Sequence, residues 1–382
     1  MAQTHEELAL SWQGENVDPV AVERALTRML RQLDPPLQDG DDHPPARASV
    51  LSLIACAASG DQEARAVEAL GQLSERHPSR ALSVVVNPEA PESRLDAWAT
   101  VHCLLHRPSS ALVCFEQVRL AAYGAAARHL SSVVSPLLIP DLPVYLWWLG
   151  EPPRPQEDLL GLCDRLIVDT RGSGMAGLVK VGDLVEAGSD HMAVIDLAWS
   201  ALFPWREILA SLFDPPETRA YQRCLRSVNI DYVAGMLSSR PLLLLCWLAF
   251  ALGWTPASSL EKDQDGDFVL GFVAGGERRS AKLRGVAGKP GAQPGDLVGV
   301  LLEGGCDGDT ATFAIARGED GSSATLCSAL PDGRETTRVV RFNEPSLAAL
   351  LSRELERLRA DPYYYGSLSL ADQIVRPTVA AD

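Results

Sequence analysis

The string Gly172-Ser173-Gly174-Met175-Ala176-Gly177 has the spacing GxGxxG. In that pattern small residues let a dinucleotide pyrophosphate approach the N-terminus of a helix. The string follows a strand expected at Arg165 to Asp169 and precedes a helix expected from about Met175 to Glu186. Downstream, Asp190 or Asp196 would supply the carboxylate that takes the ribose hydroxyls. Two points weigh against this chemistry. The string lies mid-chain instead of opening a Rossmann half, and glycines in a turn commonly serve only the backbone. A nucleotide-binding enzyme using the Gly172–Gly177 loop is therefore the alternative reading, not the first.

His102, Cys103 and His106 have metal-ligand side chains at close spacing. In a strand Cys103 points away from both histidines, and the histidines are too far apart along the strand for one zinc ion. No metal and no cofactor are expected. The chain has no GxSxG elbow, P-loop or HExxH motif, and its carboxylates show no spacing that assigns acid/base work. No catalytic residue is assigned.

Cysteine offers a geometrical idea. Trp98 to Leu105 and Leu112 to Leu120 read as strands around the turn His106-Arg107-Pro108-Ser109. If the hairpin turns between Pro108 and Ser109, residues whose numbers sum to 217 face each other, which sets Cys103 opposite Cys114. They are the candidate redox pair, with two small apolar residues filling a sheet as the other reading. Cys306 and Cys327 form a second, less constrained candidate pair.

Aromatics give another signal. Trp147-Trp148 ends an apolar strand, and Trp199 and Trp205 bracket a turn beside Arg206. Tryptophan and arginine anchor many interfaces, so these five residues are the candidate partner contacts, with core packing as the competing role.

The elements that would position these groups fall into three regions. Residues 1–46 hold an amphipathic segment, Val20 to Leu33, and a proline-rich, acidic stretch read as a flexible link. Residues 47–255 alternate strand and helix signals, as in an α/β domain with a mixed sheet and flanking helices. In this region Val144 to Leu149 reads as a buried central strand. Residues 256–382 carry six strand signals between Gly-rich turns, then a helix from about Ser346 to Arg359 covering one face. That pattern predicts an α+β domain with an antiparallel sheet.

Of 382 residues, 46% are apolar, enough for substantial cores; 50 acidic against 34 basic residues give a net charge of −16. Such a charge repels a phosphate backbone, so nucleic acid is excluded as a partner class. The start, MAQTHEELAL, has no signal-peptide pattern, and the apolar run Leu242 to Leu252 is too short for a bilayer. A cytoplasmic protein with no membrane partner is expected.

Two blocks carry a family resemblance. One runs from Cys114-Phe115-Glu116-Gln117-Val118 through Ser132 to Trp148, including Ile139-Pro140-Asp141-Leu142-Pro143; the other is Asp196-Leu197-Ala198-Trp199 with Pro204-Trp205-Arg206. Together they resemble the OpcA family of glucose-6-phosphate dehydrogenase assembly proteins. The resemblance implies a non-catalytic factor that binds the dehydrogenase, promotes its active oligomer and raises its activity in the oxidative pentose phosphate pathway. It also implies redox control, with thioredoxin as a further partner.

Overall fold

The computed structural model describes residues 7–33, 46–47, 49–73, 76–106, 111–188, 192–288, 292–305, 308–357 and 359–381. The proline-rich link expected before residue 46 lies outside them, apart from Ala46. The first part of the chain forms β1 (Glu7–Gly14), α1 (Pro19–Leu33), β2 (Ala46–Arg47), β3 (Leu51–Ala57), α2 (Gly60–Leu73), β4 (Ser79–Asn87), β5 (Arg94–His106), β6 (Ala111–Tyr123), α3 (Ala125–Arg128), α4 (Leu130–Val134), β7 (Val144–Trp148), β8 (Arg165–Val168), α5 (Gly174–Ala187) and β9 (Ala193–Asp196). Then come α6 (Leu197–Ala201), α7 (Phe203–Ser211), α8 (Pro216–Arg219), β10 (Leu225–Val233), α9 (Ser239–Ala251), β11 (Thr255–Pro256), β12 (Glu261–Lys262), β13 (Phe268–Ala274), β14 (Glu277–Val286), β15 (Leu297–Gly304), β16 (Ala311–Arg317), β17 (Ser323–Ala329), β18 (Glu335–Arg341), α10 (Leu347–Glu356) and α11 (Pro362–Ala381).

Two compact units share this chain. One comprises Met1–Val168, Ala187–Ile195 and Leu347–Leu358; the other comprises Asp169–Glu186, Asp196–Ser346 and Arg359–Asp382. The division differs from a boundary at residue 255, because β10 and α9 belong with the later strands.

In the first unit the sheet order is β1-β5-β6-β4-β3-β7-β8-β9, with β2 beside β6. Strand β3 pairs in parallel with β4 and β7, whereas β5 pairs antiparallel with β1 and β6, so the sheet is mixed. All seven residues of β3, LSLIACA, are buried, as expected of a central strand covered on both faces. Helix α1 buries Val22, Ala25, Leu26 and Met29, a spacing of three and four that sets one apolar stripe toward β5. Arg80 is 2% exposed and pairs with Glu116 and Glu23, while also donating to the carbonyl of Leu137 at 2.8 Å. Helix α10 packs against α2 in this unit instead of covering the later sheet, and His77 Nε2 lies 2.7 Å from the Ser352 hydroxyl on it.

In the second unit the order is β11-β13-β14-β10-β15-β16-β17-β18, with β12 beside β13. The expected antiparallel sheet needs one correction: β10 pairs in parallel with β14. Strand β10 enters the sheet by a crossover that includes α9, the kind of connection a parallel pair requires. Its Leu225, Val228, Ile230 and Tyr232 are buried, and Asp231 beside them receives a two-pronged contact from Arg284 at 2.7 Å. Helix α9 is buried from Ser239 through Cys246 and packs against α11. The approach is close at Gly366, where an added Cβ would lie 2.4 Å from the Phe250 ring. No helix among the described residues is long and apolar enough to cross a membrane.

Candidate functional site

Asp169 and Thr170 follow the end of β8, and Asp196 closes β9. In α/β sheets ligands commonly bind where chains leave such strand ends, so the side chains here stand where a ligand would bind. Asp196 caps α6: its Oδ1 accepts from the backbone N–H of Ala198 at 2.9 Å and of Thr170 at 3.1 Å. Its Oδ2 accepts from the Thr170 hydroxyl at 2.6 Å, and that hydroxyl lies 2.7 Å from Ser239 Oγ. The carboxyl is 1% exposed. Burial pushes its pKa up to about 7, helped by the charge of Asp169 and opposed by the hydrogen bonds from Thr170 and Ala198. Both oxygens are thus engaged by the protein's own donors, which leaves neither turned to a ribose. Asp190, the other acid considered for that role, lies outside the described residues.

The glycines of the loop are explained by packing. Gly174 has φ +55°, and a Cβ there would meet the Leu237 carbonyl at 3.3 Å and Met236 Sδ at 3.4 Å. At Gly177 an added Cβ would lie 2.4 Å from the Ser173 side chain. The second glycine therefore faces a carbonyl and a methionine at the place where a pyrophosphate would approach.

Arginines nearby are paired as well. Arg171 grips Asp169, at 2.8 Å from Nε to Oδ1 and 2.6 Å between Arg171 Nη2 and Oδ2. Arg240, 3% exposed, donates to Asp296 at 3.0 Å and to Glu344 at 2.7 Å, and Arg317 reaches Glu344 at 3.4 Å. Burial works to raise the Glu344 carboxyl, but the charges of Arg240, Arg317 and Arg171 outweigh it and hold the group below its ordinary value. Three cations meet three carboxylates, so the cluster offers no excess charge to an anionic ligand.

The tryptophans expected at a partner surface are mostly core residues. Trp147 and Trp199 are 2% exposed and Trp205 is fully buried, which removes them as surface anchors. Trp205 packs edge-on against Phe342 with centroids 5.1 Å apart. Trp199 Nε1 donates to Asp361 at 3.0 Å, and the Arg206 guanidinium lies 3.8 Å above the Trp199 ring. Arg206 is thereby held mostly inside, with 13% of its side chain exposed. Trp148, at the end of β7, is half-buried.

Comparison with known proteins settles the family. Residues 71–178 match the family described as the glucose-6-phosphate dehydrogenase subunit N-terminal domain, and residues 192–368 match the corresponding C-terminal domain. The chain belongs to the OpcA family. Three relatives carry the description OxPP cycle protein OpcA. The one from Nostoc punctiforme is 31% identical over 239 residues, 60% of this chain and 50% of that protein. Its counterpart from Synechocystis is 27% identical over 314 residues, covering 78% of this chain and 64% of the relative. The Synechococcus elongatus protein is 27% identical over 328 residues, covering 81% and 71%. The match to this OpcA-family chain thus spans from half to 71% of the length of these relatives.

The first OpcA match includes the β5–β6 hairpin. Cys103 and Cys114 stand directly opposite in its register, are buried and are joined by a disulfide. On the opposite face of the same strands His102 stacks on Phe115 with centroids 5.6 Å apart. Cys327 is a free thiol near the Thr337 hydroxyl, which corrects its expected pairing with Cys306, a residue outside the described set. Cys224, which the sequence did not single out, is disulfide-bonded. No group of three His, Cys, Asp or Glu side chains that could hold a metal occurs among the described residues. Thr170 falls in the first OpcA match and Asp196 in the second, so the hydrogen bonds between them tie the two matched segments together.

Proposed function

We propose that this chain is a non-catalytic cytoplasmic assembly factor that binds glucose-6-phosphate dehydrogenase and favours its active oligomer. The observation that carries the reading is the pair of family matches, in order along one chain and covering about three-quarters of it. The polar cluster at the ends of β8 and β9 supports it from the other side. Its carboxylates, hydroxyls and arginines are engaged with one another and with the backbone, as in a fold whose polar interior serves architecture.

Activation in this reading is a population effect. The factor must bind the active arrangement of the dehydrogenase more tightly than the inactive one, and the shift equals that difference in affinity. The Cys103–Cys114 disulfide is the proposed redox element, with thioredoxin as its reductant. Reduction would loosen the β5–β6 hairpin and change the affinity for the enzyme.

The binding step is tested by size-exclusion chromatography of the purified chain mixed with the dehydrogenase of the same organism. Co-elution ahead of both components is the expected result. Separate elution in both oxidising and reducing buffer would overturn the reading.

A further inference from the structure

Strand β18 is the last strand of the second sheet, and six of its seven residues are exposed, the half-buried Val340 being the exception. Val339 alone is 68% exposed. Its pairing with β17 runs without a register shift from Glu335 to Arg341. Two hydrogen bonds fix which backbone groups that pairing uses: Leu330 N–H donates to the Arg334 carbonyl at 2.9 Å, and Phe342 N–H donates to the Ser322 carbonyl at 2.8 Å. In an antiparallel ladder bonded pairs recur every second residue, so the even-numbered residues of β18 bond to β17. Glu335, Thr337, Val339 and Arg341 turn their N–H and C=O groups outward.

Natural sheets protect such edges with short strands, proline, lysine or a bulge. The opposite end of this sheet does so, with two-residue strands that contain Pro256 and Lys262. Strand β18 is seven residues long with no proline, lysine or bulge, and its protecting charges, Glu335, Arg338 and Arg341, are of both signs. Its sequence, Glu-Thr-Thr-Arg-Val-Val-Arg, is instead complementary to itself when reversed.

We infer that the β18 edge pairs antiparallel with β18 of a second copy of this chain, about a two-fold axis through Arg338, to join two sheets into one. In that register Glu335 lies opposite Arg341 of the second copy, and Thr337 lies opposite its Val339. All four are outward-turned residues, so every free N–H and C=O of both edges finds a partner. Two ion pairs close the ends, and β-branched side chains meet between them. Shifting by two residues in either direction leaves Glu335 or Arg341 unmatched and loses a rung. A shift by one sets outward-turned groups against inward-turned ones. The two Arg338 side chains at the axis do not collide in charge, because each is drawn to its own α7, where Arg338 Nη2 donates to the Ser211 carbonyl at 3.1 Å and hydroxyl at 2.8 Å. Isologous contact of this kind closes after two copies.

Light scattering on the full chain alone, at rising concentration, tests this without the dehydrogenase, so its outcome is independent of the proposed function. Twice the 41.1 kDa chain mass is expected. Val339→Pro removes one outward N–H and spares the ladder to β17; it should yield a folded monomer whose unfolding midpoint does not change with protein concentration, whereas that of the wild type rises. Arg341→Glu sets like charges together and should weaken the dimer more than about tenfold, and adding Glu335→Arg to it should restore dimerisation. A wild-type chain that stays monomeric overturns the proposal. So does a dimer indifferent to Val339→Pro, or a double swap no tighter than Arg341→Glu.

Discussion

Cys103 on β5 and Cys114 on β6 face one another directly across an antiparallel pair, joined by a disulfide with a sequence separation of 11. Closing a loop of that length restricts the unfolded chain by about 3 kcal/mol on the loop-entropy account. Reductant should therefore lower the denaturation midpoint of the wild-type protein by more than that of a Cys103→Ser, Cys114→Ser variant, which retains the disulfide at Cys224. Denaturant titration followed by circular dichroism, with and without dithiothreitol, makes the comparison. Equal midpoints for the oxidised and reduced wild type would contradict it.

Asp196 gives a pH signature. Its carboxyl is raised by burial from an ordinary value of 3.8 to about 7, so between those values the native state holds the proton more tightly than the unfolded chain. Its contribution to stability is present at the acidic end of that window and is lost as pH rises through the upper value. Asp196→Asn keeps an acceptor for the Thr170 and Ala198 amides and removes the titration. Thermal melts across the window should fall less steeply with pH in the variant than in the wild type.

Trp205 and Trp148 should separate core from surface. Trp205→Ala empties a fully buried site against Phe342 and should cost about 3–5 kcal/mol. Trp148→Ala, at a half-buried strand end, should cost clearly less. Unfolding titrations of the two variants read the difference.

Arg80 neutralises Glu116, itself 2% exposed, as well as the more accessible Glu23. Arg80→Ala takes the guanidinium away from the buried carboxylate and should destabilise by about 3–5 kcal/mol. Replacing the pair together, Arg80→Met with Glu116→Leu, should recover most of that loss, as measured by the same titrations.

Much of this fold was legible in the sequence because it rests on local signals. The Cys103–Cys114 register follows from strand alternation and one turn position, and β7 follows from an uninterrupted apolar run after Pro143. The six later strands appear between Gly-rich turns for the same reason. What could not be read depends on contacts distant in the chain. Strand β10 joins β14 across about fifty residues, and α10 packs on α2 almost three hundred residues earlier, so neither assignment is encoded near the element itself. The roles of Trp199 and Trp205 were hidden likewise. Tryptophan suits a core or an interface equally well, and only Asp361 and Phe342, far downstream, show which. The glycine string illustrates the reverse case: the GxGxxG spacing is present, but Leu237 and Met236 fill the approach that the spacing would provide.

In the proposed function, this chain would activate glucose-6-phosphate dehydrogenase by stabilising its active oligomer. The most direct test titrates dehydrogenase activity with the purified chain while light scattering reports mass. Activity should rise and saturate at a fixed ratio as a mixed complex forms, with no turnover by the chain alone. Activity and mass that both stay unchanged, in oxidised and in reduced buffer, would contradict it.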